Sequence, residues 1–437
     1  MKYSQFNHVT PIPNTSYCVL TNFWSGHFIR LNPFQKKLFD LAMDLPQDHP
    51  LVLRWKQAGF LTDRDEIGMI REHIREYYSE MDRSTDKVFR LMLHVTSACN
   101  YACPYCFQDR RGGEMSREVQ DAIVRYIRLR FSTGRYRKLT VGWFGGEPLL
   151  ASEVIKSLGK RIREVTDEFG AELFTSVYTN GYLLDQDTVD MLEEVNCGWA
   201  LITVDGVGPL HDATRHLQGG GGTYDRIIEN LSHIRTKMTV CIRSNLSAEN
   251  YPSYDELCRV IGEIAAKTGN TMLLKPMRVY RAPASEKRGD KTEPIPEELY
   301  AQIAKKTDMF ERMHYLGRRL GSCRIFETDR FVVDELGNVF LYCDDYAVDP
   351  HRAYGNILDL DGSGIEELDR KHREFCLKEI LPLSHAKCMA CSKLPLCFGG
   401  CLIPRITGKK EPVCPDALYD VDTYVLRKYA KLCEESQ

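Results

Sequence analysis

The chain has 437 residues, 43% of them hydrophobic and 27% charged, with a formal net charge of −3. Such a length accommodates two or three domains with a large core, and the proportions are those of a soluble globular protein. The near-neutral charge argues against bulk nucleic-acid binding, no run of about eighteen apolar residues exists to span a membrane, and no apolar stretch behind Met1-Lys2-Tyr3-Ser4-Gln5 marks a signal peptide.

In chain order, residues 1–85 read as a separate small α+β unit. Tyr17–Phe23 and His27–Leu31, split by Ser25-Gly26, have the pattern of a hairpin, and residues 33–45 and 51–60 that of amphipathic helices. A hairpin with small helices is winged-helix-like. It reads either as a peptide-binding unit, taking an added strand at an exposed edge, or as a packing cap on the next domain.

From residue 86 to 320 apolar strands alternate with helical patterns. The strands are expected at Leu91–Thr96, Leu139–Phe144, Phe174–Thr179, Ala200–Asp205, Thr239–Asn245 and Met272–Pro276, with helices such as Ser116–Phe131, Ala151–Phe169 and Asp225–Ile234 between them. Six β-α repeats imply an α/β fold with a parallel sheet and outer helices, and such sheets work at the carboxyl ends of their strands. The chemistry-bearing runs lie at those ends: Cys99, Cys103 and Cys106 after the first strand, Gly145-Gly146-Glu147-Pro148 after the second, Thr179-Asn180-Gly181 after the third and Thr203-Val204-Asp205-Gly206 after the fourth. Arg243 lies on the fifth strand, where a buried guanidinium needs an anionic partner. The run Gly219–Gly222 has no Walker lysine behind it and reads as a flexible helix entry. The basic, polar stretch from Arg281 to Pro294, ahead of a helix at 296–320, reads as a solvated loop, with guidance of an acidic peptide as the alternative.

The last part, residues 321–437, is rich in cysteine. Cys388, Cys391, Cys397 and Cys401 follow gaps of two, five and three residues, Cys414 comes after them, and Cys323, Gly337 and Cys343 come before. Without a secretory signal, sixteen cysteines read as thiols and metal ligands of a reducing, cytoplasmic protein rather than as a disulfide framework. Ten fall into the two motif groups. Of the other six (Cys18, Cys197, Cys241, Cys258, Cys376 and Cys433), Cys197, Cys241 and Cys258 sit in apolar segments as small hydrophobes.

Three cysteines spaced by three and then two residues can wrap three corners of a [4Fe–4S] cluster and leave the fourth iron open to a small molecule. A zinc knuckle with a distant fourth ligand is the alternative by spacing alone. With Tyr105 before the last cysteine and the glycine-rich run about forty residues on, the pattern resembles the radical SAM superfamily. The resemblance implies a partial (β/α)6 barrel whose cluster binds S-adenosylmethionine (SAM) through its amino and carboxylate groups and reduces it to methionine and a 5′-deoxyadenosyl radical. It implies SAM-binding roles for Tyr105, Gly145, Gly146 and Glu147 (the methionine amine), Asn180 (the ribose side), and Thr203 and Arg243 (the carboxylate). For Arg243 a structural ion pair is the alternative. The stretch Thr203–Arg215 resembles the Ser-x-Asp-Gly-Pro…His-Asp…Arg run of maturases in this superfamily, with Thr203 in place of serine and Val207-Gly208 inserted before Pro209. Asp205 and His211 are read equally well as turn and cap residues.

The carboxyl-terminal cysteines resemble the SPASM domain. That resemblance implies a distal auxiliary [4Fe–4S] cluster on Cys388, Cys391, Cys397 and Cys414, and a nearer one on Cys323, Cys343 and Cys401, three clusters in all. The spacing departs from the family by one residue between Gly337 and Cys343. The nearer cluster's fourth position is open, or filled by a carboxylate such as Asp329 or Glu327. Asp344, directly after Cys343, stands where anaerobic sulfatase-maturing enzymes place a general base; a loop aspartate capping a hairpin is the alternative.

The reading is therefore a radical SAM/SPASM maturase that oxidises a side chain of a ribosomally made precursor peptide or protein, forming a thioether or carbon–carbon crosslink, with an external flavodoxin- or ferredoxin-type electron donor. A formylglycine-forming sulfatase maturase is favoured by the Cys343-Asp344 match and disfavoured by the long stretch before Cys99. A cluster-bearing binding or electron-transfer module without SAM chemistry is the reading from another class.

Overall fold

The structure, a computed structural model, describes residues 1–83, 87–108, 111–279, 285, 289–296, 299–300, 302–303, 329–341, 350–380, 385–399, 414 and 421–434. They cluster into two compact units, one of Met1–Arg83 with Glu374–Gln437, the other of Ser84–Thr307 with Glu327–Arg373.

The amino-terminal segment runs β1 (Lys2–Tyr3), β2 (Asn7–Pro11), β3 (Cys18–Asn22), β4 (Phe28–Leu31), α1 (Pro33–Asp40), α2 (Pro50–Gln57), β5 (Leu61–Thr62) and α3 (Glu66–Arg83). The expected hairpin is β3–β4, and β2 completes a three-stranded antiparallel sheet with β3 in the centre. Asn32 starts α1 with a capping box: its side chain accepts the Gln35 N–H at 2.8 Å while the Gln35 side chain accepts the Asn32 N–H at 3.0 Å. Leu20, Leu31, Phe39, Val52, Trp55 and Phe60 form the core between sheet and helices.

The second unit carries the parallel sheet. Its strands are β6 (Lys87–Thr96), β7 (Tyr136–Gly145), β8 (Glu172–Thr179), β9 (Cys197–Thr203), β10 (Thr239–Leu246) and β11 (Met272–Arg278), each hydrogen-bonded in parallel to the next. Helices α4 (Arg117–Ser132), α5 (Ser152–Glu168), α6 (Gln186–Glu194), α7 (Pro209–Asp212), α8 (Tyr224–His233) and α9 (Tyr254–Thr268) fill the crossovers. Oxygen-bearing side chains begin two of them: Ser116 accepts the Val119 N–H and Asp185 the Thr188 N–H. Gly159 of α5 lies against Trp143, which marks the helix-covered face of the sheet. On the opposite face Met92, Phe144 and Tyr178 pack with Val332 and Phe340.

Those last two belong to strands beyond the expected six. β12 (Arg330–Val333) pairs in parallel with β6, and β13 (Asn338–Leu341) and β14 (Gly355–Asn356) continue the sheet antiparallel. α10 (Gly362–Ile380) then returns to α4. There Arg130, 3% exposed in its side chain, grips Asp369 with two bonds of 2.6 Å and lies over the rings of Phe89, Tyr126 and Phe331.

The chain re-enters the first unit with α11 (Ala386–Met389), α12 (Leu394–Cys397) and α13 (Val421–Glu434). Val421, Val425 and Leu396 pack on Val19 and Phe23 of the amino-terminal sheet. Asp422 accepts the Thr10 hydroxyl at 2.6 Å and pairs with His8 Nε2 at 2.7 Å. Among the described residues, no helix is long and apolar enough to cross a membrane.

Candidate active site

The loop leaving β6 carries the first three cysteines. It closes on itself where Ser97 N–H donates to the Gly113 carbonyl at 3.3 Å and Met115 N–H to that of Val95 at 2.9 Å. Its middle is held as a short strand: Ala102 N–H donates to the His216 carbonyl and Gln218 N–H to that of Asn100, both at 2.9 Å. The glycine run forms the return behind that pairing, with Leu217 N–H bonded to Gly221 and Gly220 at φ +86°. Cys103 is buried and Cys99 and Cys106 half-buried, and the Cys99 sulfur accepts the Tyr101 N–H at 3.4 Å.

Gly145 and Gly146 press directly on the start of this loop. Gly146 N–H donates to the Thr96 carbonyl at 2.9 Å and Glu147 N–H to that of Ala98 at 2.8 Å. A Cβ on Gly145 would overlap the Thr96 oxygen, one on Gly146 the Ala98 oxygen, and Gly145 sits at φ +128°. Glu147, 1% exposed, accepts from Asn180 N–H at 2.7 Å, the Thr179 hydroxyl at 2.6 Å and Leu149 N–H at 3.1 Å. Burial raises its pKa and these three donors pull it back. A carboxylate has about four lone-pair directions, so one is left for an ammonium group. The Asn180 amide donates to Asn100 Oδ1 at 2.7 Å, tying the third strand end to the cysteine loop.

A second cluster gathers the fourth and fifth strand ends. The Tyr105 hydroxyl bonds the Asp205 carboxylate and accepts from Arg215 at 2.8 Å and Asn245 at 3.4 Å. Asp205 also accepts the Asn245 N–H at 2.7 Å. Burial raises the pKa of both Tyr105 and Asp205, with the Arg215 guanidinium opposing it. Arg243 stands beside Thr203 in the ladder, so the two residues expected to share a carboxylate are neighbours. Its partner is the Asn245 amide at 2.9 Å rather than a carboxylate, and it is half-buried. His211 Nδ1 accepts the Asp205 N–H at 3.1 Å and its other nitrogen meets the Thr223 hydroxyl at 3.1 Å. Burial, then Arg215, keeps the ring neutral, and those contacts place its proton on Nε2. Asp212 accepts the N–H groups of Thr223 and Tyr224 at the start of α8. His211 and Asp212 thus hold the loop, and Arg215 and Asn245 are the site residues that the sequence reading left without a role. The position of Arg215 after His211-Asp212 was the available signal for it.

The donor set fits an iron–sulfur centre: three thiols in one loop, an N–H donated to Cys99 sulfur, and the Arg215 guanidinium within electrostatic reach of Cys103. In the first unit, burial pushes the Cys397 thiol up to about 11, against an N–H from Gly399, and Cys391, Cys414 and Cys388 add to the rise. Among the described residues, no three such side chains converge on the spacing of a single metal ion. Cys323, Cys343, Asp344 and Cys401 lie outside the described residues, as does Glu327. Asp329, the other carboxylate considered as a cluster ligand, is engaged elsewhere: it accepts the Tyr136 hydroxyl at 2.6 Å and pairs with Lys87 at 3.2 Å, at the amino ends of β6 and β7.

Residues 93–250 match the sequence profile of the Radical SAM superfamily. They form a radical SAM domain. A cysteine-type anaerobic sulfatase-maturating enzyme of Clostridium perfringens is 24% identical to this chain over 373 residues, which is 76% of this chain and 93% of that protein. The solved structure of native anSMEcpe with bound AdoMet and Cp18Cys peptide superposes with a TM-score of 0.58 at 18% identity, covering 80% of this chain and all of that one (100%). SuiB of Streptococcus suis, solved bound to its precursor peptide SuiA, does so with a TM-score of 0.54 at 14% identity, covering 94% and 98%. At such identities the two structures speak to the fold, a parallel α/β sheet of the radical SAM type. Residues 93–250 thus carry the domain of a SAM-using enzyme superfamily. Its cysteine loop lies where the sequence reading puts it, at the carboxyl end of the first barrel strand.

Proposed function

We propose that this chain is a radical SAM/SPASM maturase that oxidises a side chain of a ribosomally made peptide or protein, leaving a thioether or carbon–carbon crosslink. The observation that carries the reading is the three-thiol loop at the carboxyl end of β6, braced by Gly145 and Gly146 beside the buried Glu147, in a chain that also carries the run Cys388, Cys391, Cys397 and Cys414. Cys99, Cys103 and Cys106 hold the first cluster; Cys388, Cys391, Cys397 and Cys414 the distal one; Cys323, Cys343 and Cys401 the nearer one. When bound, the first cluster and SAM together supply a 5′-deoxyadenosyl radical for hydrogen abstraction. Glu147 takes the ammonium group of SAM, Thr203 and Arg243 its carboxylate, and Asn180 the ribose side. Tyr105, before the last cysteine, faces SAM from the loop that it ties to Asp205 and Arg215. Asp344 would accept the substrate's proton, the hydrogen atom having gone to the 5′-deoxyadenosyl radical and the further electron to the cluster that Cys323, Cys343 and Cys401 would hold.

The amino-terminal sheet, with β2 and β4 at its edges, suits a precursor's leader peptide added as a strand. A flavodoxin- or ferredoxin-type protein supplies electrons. SuiB, solved with a precursor peptide, supports a peptide partner. The second reading is formylglycine formation, favoured by the cover of the sulfatase-maturating relative.

The deciding experiment offers the anaerobically reconstituted chain, with SAM and reductant, two peptides: a small one encoded beside its gene and a sulfatase-derived Cys/Ser peptide. Loss of two hydrogens from the first, with a fragmentation-resistant ring, is the expected result. Conversion of only the sulfatase peptide to an aldehyde would replace the crosslinking reading with the second one.

A further inference from the structure

A turn outside the site described above grips the three-cysteine loop. Because β12 runs parallel to β6, with Val333 beside Leu93, the β12–β13 turn emerges at the same end of the sheet as the loop that follows Thr96. Asp334 makes that turn rigid. One of its oxygens accepts the N–H groups of Leu336 at 3.0 Å and Asn338 at 2.8 Å, the other accepts the Asn338 amide at 2.9 Å, and Gly337 takes φ +85°. Arg111, at the far end of the cysteine loop, places one guanidinium nitrogen 3.6 Å from the Asp334 carboxylate and 3.5 Å from that of Glu335.

Both carboxylates are almost wholly enclosed, at 1% and 3% exposure, while Arg111 is 30% exposed. Two enclosed acids on adjacent residues are costly unless a cation serves them. Burial raises the Glu335 pKa, and the Ser97 hydroxyl and Arg111 oppose the rise. Arg111 follows Cys106, so the turn holds the loop beyond the last of its thiols. His94, on β6, lies within electrostatic reach of Arg111.

We infer that Arg111, Asp334 and Glu335 are positioning residues: a clamp that fixes the three-cysteine loop against the β12–β13 hairpin and so sets how its cluster meets SAM. The inference rests on the superfamily reading of the loop for its consequence, and on the ion pairs alone for the clamp itself.

The test compares the wild-type full chain with R111Q, E335Q and R111K, anaerobically, by hydrogen exchange and by electron paramagnetic resonance of the reduced protein with and without SAM. The clamp predicts that R111Q and E335Q each speed exchange about tenfold or more in both segments, 97–108 and 334–338, as loss of one partner of an enclosed charge pair requires. It also predicts that both weaken the spectral change caused by SAM at unchanged iron content, and that R111K restores both readouts. Faster exchange only in the substituted segment, wild-type behaviour of R111Q, or an R111K as poor as R111Q would overturn it. A wild-type chain that cleaves no SAM would overturn the superfamily reading instead, and the exchange data would still decide the clamp.

Discussion

Gly146 shows how far a single residue governs this site. Its amide bonds the Thr96 carbonyl and its missing side chain leaves room for the Ala98 carbonyl, so the cysteine loop starts where the second strand ends. Gly146→Ala should cost about 3 kcal/mol, the range of a backbone clash that a core cannot absorb, and the purified protein should retain less iron per chain than wild type. His94 offers a pH test. Burial, with Arg111 nearby, holds its pKa down to about 3, against an ordinary value of 6.5. A base held neutral in the fold and protonated in the unfolded chain adds stability above about pH 6.5, which is lost as pH falls toward about 3. From pH 7.5 to 5.5, urea unfolding should therefore show wild type losing about 1.4 kcal/mol more than His94→Leu. Equal losses would show that His94 is protonated in the fold.

Among elements, β12 decides the most. A four-residue strand, one arginine and three apolar residues, after the last predicted helix carries no mark of which sheet it joins, and in the structure it extends the barrel beside β6. The six strands before it were legible because each is a short apolar run bounded by turn residues, all but β11 rich in β-branched or aromatic residues, with a helical period between. Their ends shifted by a few residues, as at β6, which begins at Lys87 rather than Leu91. The latch from α4 to α10 was not legible, since Arg130 and Asp369 are distant in sequence and neither lies in a motif. Replacing Arg130 by Met should destabilise the second unit by about 3 kcal/mol, because Asp369 loses its partner and three rings lose their cation. A thermal midpoint unchanged from wild type would show the latch to be dispensable.

At the scale of the molecule, the motifs placed the chemistry and the fold supplied the connections between them. The cysteine loop, Gly145-Gly146-Glu147, Asn180, Thr203 and Arg243 were visible because ligation and close approach need particular residue types at fixed spacings. The network of Tyr105, Asp205, Arg215 and Asn245 was not, because its members meet only when the loop after β6 reaches the ends of β9 and β10. Likewise, the sharing of one core by Val19 and Val425 is set by tertiary packing, which leaves no local pattern.

The central claim is that the loop of Cys99, Cys103 and Cys106 makes this protein a SAM-cleaving enzyme. The measurement is anaerobic: the reconstituted chain and its Cys103→Ala variant are each mixed with SAM and a low-potential reductant, and 5′-deoxyadenosine and methionine are quantified. The account predicts both products in equal amounts from the wild-type chain and neither from the variant. An iron-replete wild-type chain that leaves SAM intact, or a variant that cleaves it as well as wild type, would contradict it.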